Sequence, residues 1–540
     1  MLTRTPVPLV LKVTLLGGSL VVGQACGSDD APDDGAAAGR SPASGAPHGP
    51  TGGRGGHSGA SGASTGGAPS LGGAGNGATP IDGGSGAGRN ESGENSGGAA
   101  TSANGASFAK RVVAENLSSP WEVTWGPDSW LWVTERSGKR VVRINPGDGM
   151  VRVVLEIDEV RQEGSQDGLL GMALHPQLLA AVNQDFVYVA YSYDAAAGRR
   201  IKIRRYTYDA SSGTLAAPLD LLSELPASSD HNAGRLLVGP DAKLYYTIGD
   251  QGENQFDRKC NLNRAQDLPT ADQIAAGDFQ TYQGKILRVN LDGSIPSDNP
   301  ELNGVRSHVF SFGHRNPQGI AFGPTGRLFS SEQGPKSDDE LNRIDAGKNY
   351  GWPHVAGFKD DKAYVYGNWS AAPDCEQLAY SDYVIPASVP QQKESDWAEP
   401  HFMPPLLTFY TVESSHEFED PKCGDNANIC WPTIAPSSLE FYSAAQQALS
   451  GWSDSLLITS LKQGTVYRVP LSADGATING NVTPLFKTTN RYRDIAVKPD
   501  GRAFYVITDA QGSTASVDGG ATASLENKGS VLEFSAAPLE

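Results

Sequence analysis

No two cysteines in this 540-residue chain are spaced as CxxC, and no CxxCH haem-attachment motif occurs. Thiol zinc sites and a haem built into the chain are therefore excluded, because neither ligand set can be completed. Basic residues are in the minority, 43 Lys and Arg against 61 Asp and Glu for a net charge of -18, which argues against a nucleic-acid-binding surface but leaves room for a local cationic pocket. No apolar run is long enough to span a bilayer comfortably. Regular EF-hand spacing is absent, and beyond residue 108 so is any long helical period. What remains is a chain long enough to bury a large core, written in short strands and turns.

The first 26 residues read as an export signal: Arg4 and Lys12 flank an apolar run ending at Val21-Val22, followed by Gly23-Gln24-Ala25-Cys26. The Ala25-Cys26 junction resembles a bacterial lipoprotein cleavage box, which makes Cys26 the expected lipidation site, with simple secretion as the alternative. Gly23 departs from that box, where a Leu-like residue is usual. Residues 27–107 are dominated by Gly, Ser, Ala and Asn and cannot recover the entropy of ordering, so a flexible tether is expected. The protein is then exported, to the periplasm or cell surface, and touches a membrane only through this anchor. Cys423 and Cys430, with six residues between them, are close enough to staple a loop in such a compartment. Whether Cys260 pairs with Cys375 is left open.

From 108 to 540 one unit recurs six times: a turn feeding an apolar strand that ends polar. It appears at 126–135, 186–191, 239–248, 323–332, 452–460 and 498–507. Six such units are what the radial blades of a propeller need, with each polar strand end facing a central cavity. The expected fold is an all-β six-bladed β-propeller; a jelly roll or paired sandwiches would not account for the recurring polar ends as economically. Residues 251–284 and 349–405 are too long for hairpin turns and are expected to form a wall or lid around the site.

Several stretches carry chemistry. Asp230-His231 precedes one strand, and Gly249-Asp250-Gln251-Gly252 ends the next. Gly164-Ser165-Gln166-Asp167-Gly168 is a polar loop, Gly313-His314-Arg315-Asn316 is rich in donors, and Gln333-Gly334-Pro335 leads into Asp338-Asp339-Glu340, oxygens suited to a hard cation such as calcium. If the strands converge radially, Arg315, Lys462, Arg491 and Arg493 form a cationic basin suited to a multiply carboxylated small molecule. Each of these also has a bland reading, as loop histidine, solvated acidic turn or surface charge.

Taken together, His231-Asn232-Ala233-Gly234-Arg235-Leu236, Tyr245 to Gly252, Gly313 to Gly319, Ser331 to Pro335 and Ile429-Cys430-Trp431-Pro432-Thr433 resemble, in order, the soluble quinoprotein glucose dehydrogenases of the glucose/sorbosone dehydrogenase family. The resemblance implies a six-bladed propeller that binds pyrroloquinoline quinone (PQQ) and Ca2+ and oxidises aldose sugars to lactones. It implies His231 as base oriented by Asp230; Gln166, Asp250, Gln255, Phe256 and Trp431 around the sugar; Arg315 serving sugar and quinone; and Asn316, Thr433, Lys462, Arg491 and Arg493 holding the cofactor. Gly334 and Pro335 correspond to carbonyl ligands of the cofactor-side calcium. Asp339, Glu340, Tyr350, Ala356, Phe358, Asp360 and Glu394 correspond to a structural calcium site, some through backbone oxygens only.

The family's homodimers make a second copy a candidate partner, beside an external electron acceptor such as a quinone or small redox protein. Phe256 and Asn428 depart from the family pattern, which has Leu and Tyr there, and leave glucose preference open. A sugar-binding propeller without redox chemistry and a calcium-dependent lactonase are the competing expectations.

Overall fold

The computed structural model describes residues 100–101 and 107–536, except 383, 444 and 447. The export segment, Cys26 and the expected tether up to residue 99 lie outside the described residues.

Six antiparallel sheets follow one another along the chain, as the six repeats predict. Blades 1 to 5 each run outward from an innermost strand: Pro120–Trp125, Leu169–Leu174, Leu236–Val238, Pro317–Phe322 and Pro436–Tyr442. Blade 6 starts at Tyr492–Val497 and is completed by the other end of the domain: Ser107–Ala114 pairs with the C-terminal strand Val531–Ala536. The ring is thus closed by backbone hydrogen bonds between strands more than 400 residues apart in sequence.

Each recurring unit is the turn after an innermost strand together with the second strand of its blade. Of those second strands, Leu131–Glu135, Leu328–Glu332, Ser455–Ser460 and Ala503–Thr508 are buried at every position, and the other two everywhere but near their ends. They read as continuous apolar runs because both faces are covered by a neighbouring blade. Successive residues point to opposite faces, so Leu456 joins the apolar wedge with Phe329 of blade 4, while Leu457 joins that with Phe504 of blade 6. The core is a ring of such wedges, one between each adjacent pair of blades.

At the hub, Arg235 pins five blades at once. Its guanidinium donates to Glu122 (2.7 Å), Asp494 (3.0 Å), the Gln318 carbonyl (3.1 Å) and the Ser437 carbonyl (2.8 Å). Asp494 also accepts from the Val123 N–H (2.7 Å) and the Ser438 hydroxyl.

The two insertions meet. A disulfide joins Cys260 of the first to Cys375 of the second, deciding the pairing that spacing left open. Asn254 donates to the Gly367 carbonyl (2.8 Å), and the Phe256 and Tyr380 rings pack with centroids 4.9 Å apart. The buried Lys285 ammonium fastens the base of the first insertion by donating to the carbonyls of Arg264, Ala265 and Gln283. Cys423 and Cys430 form the second disulfide.

Candidate active site

Innermost strands start, and second strands end, on the same face of the ring, so the polar ends of all six repeats converge there. Gln166 precedes the inner strand of blade 2, His231 that of blade 3, Asn316 that of blade 4 and Thr433 that of blade 5. Asp250, Glu332, Lys462 and Asp509 stand at or just past the ends of second strands in blades 3 to 6.

His231 is oriented by an acid, but not by its sequence neighbour. Its Nδ1 lies 2.7 Å from Asp250 Oδ1, whereas Asp230 Oδ2 is 3.8 Å from Nε2 on a side chain 47% exposed. Asp250 is buried and also accepts from the Gly252 N–H (2.8 Å), Gln255 (2.8 Å), Asn263 (3.1 Å) and the Trp352 indole (2.7 Å). Burial alone would raise its pKa, yet His231 and Arg315 outweigh that and hold it below the ordinary carboxylate value. An ionised Asp250 places the proton on Nδ1 and leaves the Nε2 lone pair free to act as a base. Asp230, the expected orienting residue, instead accepts a hydrogen bond from Gln166.

Gln255 couples the His231–Asp250 pair to Arg315. Its amide nitrogen donates to Asp250, and its oxygen accepts from Arg315 Nε (3.0 Å) and Nη2 (2.7 Å). Arg315 Nη1 continues the chain to the Gly334 carbonyl (2.8 Å). Glu332, which sequence reasoning missed, accepts the Arg315 backbone N–H and the His314 ring (2.9 Å), so it fixes the turn presenting the guanidinium. Asn316 and Gln318 both donate to Gln166 (3.0 Å each), closing the floor between blades 2 and 4.

Lys462 donates to Thr433 Oγ1 (2.7 Å) and to the Trp431 carbonyl, while the Trp431 indole nitrogen is buried without a hydrogen-bond partner among the described residues. Burial lowers the Lys462 pKa to about 7, with Asp339 opposing. Arg491 and Arg493 share one carboxylate, Asp509: Arg493 Nε and Nη2 reach it at 2.9 and 2.8 Å, and Arg491 Nε at 3.1 Å. Gly512 stands against Arg491 because a Cβ there would lie 2.9 Å from its Nε. Two guanidiniums and an ammonium around so few acids, with an unpartnered indole N–H, suit a ligand carrying several carboxylates. Phe256 and Trp431 stand on different sides of the mouth, connected through Tyr380, Asp382 and Lys336: Asp382 accepts from Tyr380, Lys336 lies 3.5 Å from Asp382, and its ammonium is 4.8 Å from the Trp431 ring centroid.

The residues expected around a structural calcium are together, but differently employed. Glu394 accepts the N–H groups of Ala356, Asp360 and Asp361, and Glu340 that of Gly357. Burial first, then neighbouring acids, push Glu340 well above the usual carboxyl range, Glu394 to about 8 and Asp338 to about 6. A divalent ion would offset that repulsion, although among the described residues no three His, Cys, Asp or Glu side chains converge on one point. Asp339 uses its carboxylate on the N–H groups of Gly334, Ile434 and Ala435. Tyr350 stacks on His314, and Phe358 is half-buried. At Gly334 a Cβ would lie 2.1 Å from the Ser337 carbonyl oxygen, so only glycine lets these carbonyls crowd together.

A family profile described as Glucose / Sorbosone dehydrogenase matches residues 117–391 and 408–516. The chain is a member of the glucose/sorbosone dehydrogenase family. It is 46% identical over 441 residues to quinoprotein glucose dehydrogenase B of Acinetobacter calcoaceticus, covering 80% of this chain and 92% of that protein. It is 26% identical over 401 residues to an aldose sugar dehydrogenase of Escherichia coli, covering 74% and 89%. Among solved structures, the apo-form of the soluble Escherichia coli aldose sugar dehydrogenase superposes with a TM-score of 0.56 at 24% identity, over 80% of this chain and 100% of that one. This last likeness concerns the fold, which family members thus share with the propeller described here.

Proposed function

We propose that this protein oxidises aldose sugars, glucose among them, at the anomeric carbon to the lactone, using PQQ and Ca2+ and passing the electrons to a separate acceptor. The observation that carries the reading is the unbroken chain from His231 through Asp250 and Gln255 to Arg315 and the Gly334 carbonyl, set beside the cationic basin. Family membership supports the redox class, and the quinoprotein relative supports the cofactor.

The anomeric hydroxyl gives its proton to His231 Nε2 as hydride leaves the same carbon, and Asp250 at Nδ1 stabilises the imidazolium that forms. When bound, the quinone would supply the two-electron sink, and the Gly334 and Pro335 carbonyls would hold a calcium ion that supplies Lewis-acid assistance. Arg315, held on two sides by Gln255 and Gly334, presents fixed positive charge where negative charge develops. Asn316, Thr433, Lys462, Arg491 and Arg493 hold the cofactor's carboxylates and carbonyls, and Trp431 offers its indole N–H. Gln166, Gln255, Phe256 and Trp431 surround the sugar, with Asp230 at the rim through Gln166. Of the residues expected at the second calcium, Glu340, Asp360 and Glu394 would hold it by charge.

Export with a lipid anchor at Cys26 belongs to this reading. Among the described residues no helix is long and apolar enough to cross a membrane.

The test is His231→Ala. It should retain calcium-dependent quinone binding while sugar-driven reduction, followed by stopped flow with glucose and a second aldose, falls about 10²–10⁴-fold. A folded, loaded variant reduced at near-wild-type speed would remove His231 from the chemistry. Lactone hydrolysis by quinone-free protein, or sugar binding without dye reduction by the loaded wild type, would replace the reading.

A further inference from the structure

Blades 2 to 6 each place recognisable polar groups on the site face. The second strand of blade 1, Leu131–Glu135, ends on that face like the others. The residue after Glu135 is Arg136, in the place that Asp509 takes after Thr508 in blade 6. The carboxylate of Glu135 turns back into its own blade, to Arg140 and the Ser118 N–H (3.0 Å). Arg136 turns the other way: Nη1 donates to the carbonyls of Gly164 (2.7 Å) and Asp167 (3.1 Å), on the loop that carries Gln166. Gly168, at φ +122°, lets that loop close on the Arg136 backbone, where a Cβ would lie 2.6 Å from its carbonyl oxygen.

Both acceptors of the Arg136 guanidinium are neutral carbonyls, and no carboxylate among the described residues lies within ion-pair distance of it. Its electrostatic neighbours are those of the basin. Burial, then Arg493, lowers its pKa, while Asp509 and Asp167 oppose. Geometry places it beside the basin: its backbone N–H donates to the Ser119 carbonyl (2.9 Å), two residues before Trp121, whose ring centroid lies 4.3 Å from the guanidinium carbon of Arg493, itself bonded to Asp509.

We propose that Arg136 is the blade 1 member of the anion-holding ring, taking a carboxylate of a multiply charged ligand together with Arg491 and Arg493 while its Nη1 steadies the Gln166 loop. This rests on the quinone-dependent reading above, and its test separates the two. Arg136→Gln keeps an amide that can bond the carbonyls and loses the charge; Arg136→Lys keeps the charge. Dissociation constants of the calcium-loaded proteins are measured by fluorescence titration with PQQ, and with citrate as a tricarboxylate that lacks the quinone, at low and at physiological salt.

Arg136→Gln should weaken both ligands roughly 10- to 100-fold and flatten the salt dependence, while Arg136→Lys stays within about threefold of wild type. Wild-type affinity in the Gln variant, or equal losses in Gln and Lys, would overturn the assignment and leave Arg136 a strut for the loop. Should the Gln variant not fold, a folded Lys variant with lost affinity overturns it and one with retained affinity upholds it. Wild type that binds citrate but not PQQ would sink the quinone reading and leave Arg136 standing; wild type that binds neither would sink both.

Discussion

Two buried charge clusters lie within this one ring, and they are built on opposite plans. At the hub, Arg235 is enclosed by Glu122, Asp494 and backbone carbonyls, every side chain in the group under 10% exposed. Burial pushes Glu122 well above the usual carboxyl range, with Asp494 adding to the rise and Arg235 opposing it. Arg235 thus faces two acids, one of which, Glu122, has its charged form disfavoured by burial. On the site face the proportion is reversed: Arg491 and Arg493 both bond Asp509, and the Arg136 guanidinium has only backbone carbonyls as acceptors. A balanced, fully bonded cluster serves the fold, because desolvated charge is tolerable only when matched. An unbalanced one is costly by itself, and a bound anion would relieve the imbalance.

The comparison breaks most severely at Arg235. Arg235→Met should cost about 3–5 kcal/mol in chemical denaturation, because it strands two acids at the meeting point of five blades. Added PQQ should not restore the loss selectively. A variant as stable as wild type would mean that the hub is not where the ring is fastened.

In the basin the expected outcome differs in kind. Asp509→Asn should lower the stability of the ligand-free protein by about 2 kcal/mol, since it worsens the imbalance, but a tricarboxylate should then raise the melting temperature more than in wild type. Burial alone would raise Asp509, yet Arg493 and Arg491 hold its pKa below the ordinary value. Its stabilisation is therefore present above about pH 4 and lost as pH falls through its folded pKa. The Asn variant should lack that part of the acid-unfolding limb.

The smallest effect is the sharpest check on the hub. If Glu122 carries its proton in the folded state, Glu122→Gln is close to isosteric and should change stability by less than about 1 kcal/mol at neutral pH. Its raised folded pKa makes wild-type stability decline as pH rises above about 4, the unfolded value, and the Gln variant should not follow that slope. A loss comparable with that of Arg235→Met would show Glu122 ionised and the hub unbalanced too.

Much of the fold was legible because each second strand is covered on both faces, which writes an apolar run bounded by a turn and a polar end six times over. The six repeats correspond one to one with the six blades. His231, Arg315, Lys462, Arg491 and Arg493 were legible through motifs at those ends, and the structure brings them to one face. The partner of His231 was not. The chain bends here, with His231 at φ +41°, so Asp230 faces Gln166 and the rim, while Asp250, nineteen positions after His231, returns across a hairpin to meet Nδ1. Arg136 was passed over because Thr-Glu-Arg at a strand end reads as ordinary surface charge until blade 6 is known to stand beside blade 1. The Cys260–Cys375 bridge spans 115 residues, a separation at which cysteine spacing carries no information on pairing.

The number of blades, the strand that repeats and the face that collects polar groups follow from local pattern, since burial on both sides of a short strand acts on a handful of consecutive residues. Which acid meets which base, and whether a cluster of charges is balanced, depends on distances between residues of different blades. Only closure of the ring, with Ser107–Ala114 laid against Val531–Ala536, brings blade 1 beside blade 6 and so sets Arg136 near the two guanidiniums that share Asp509.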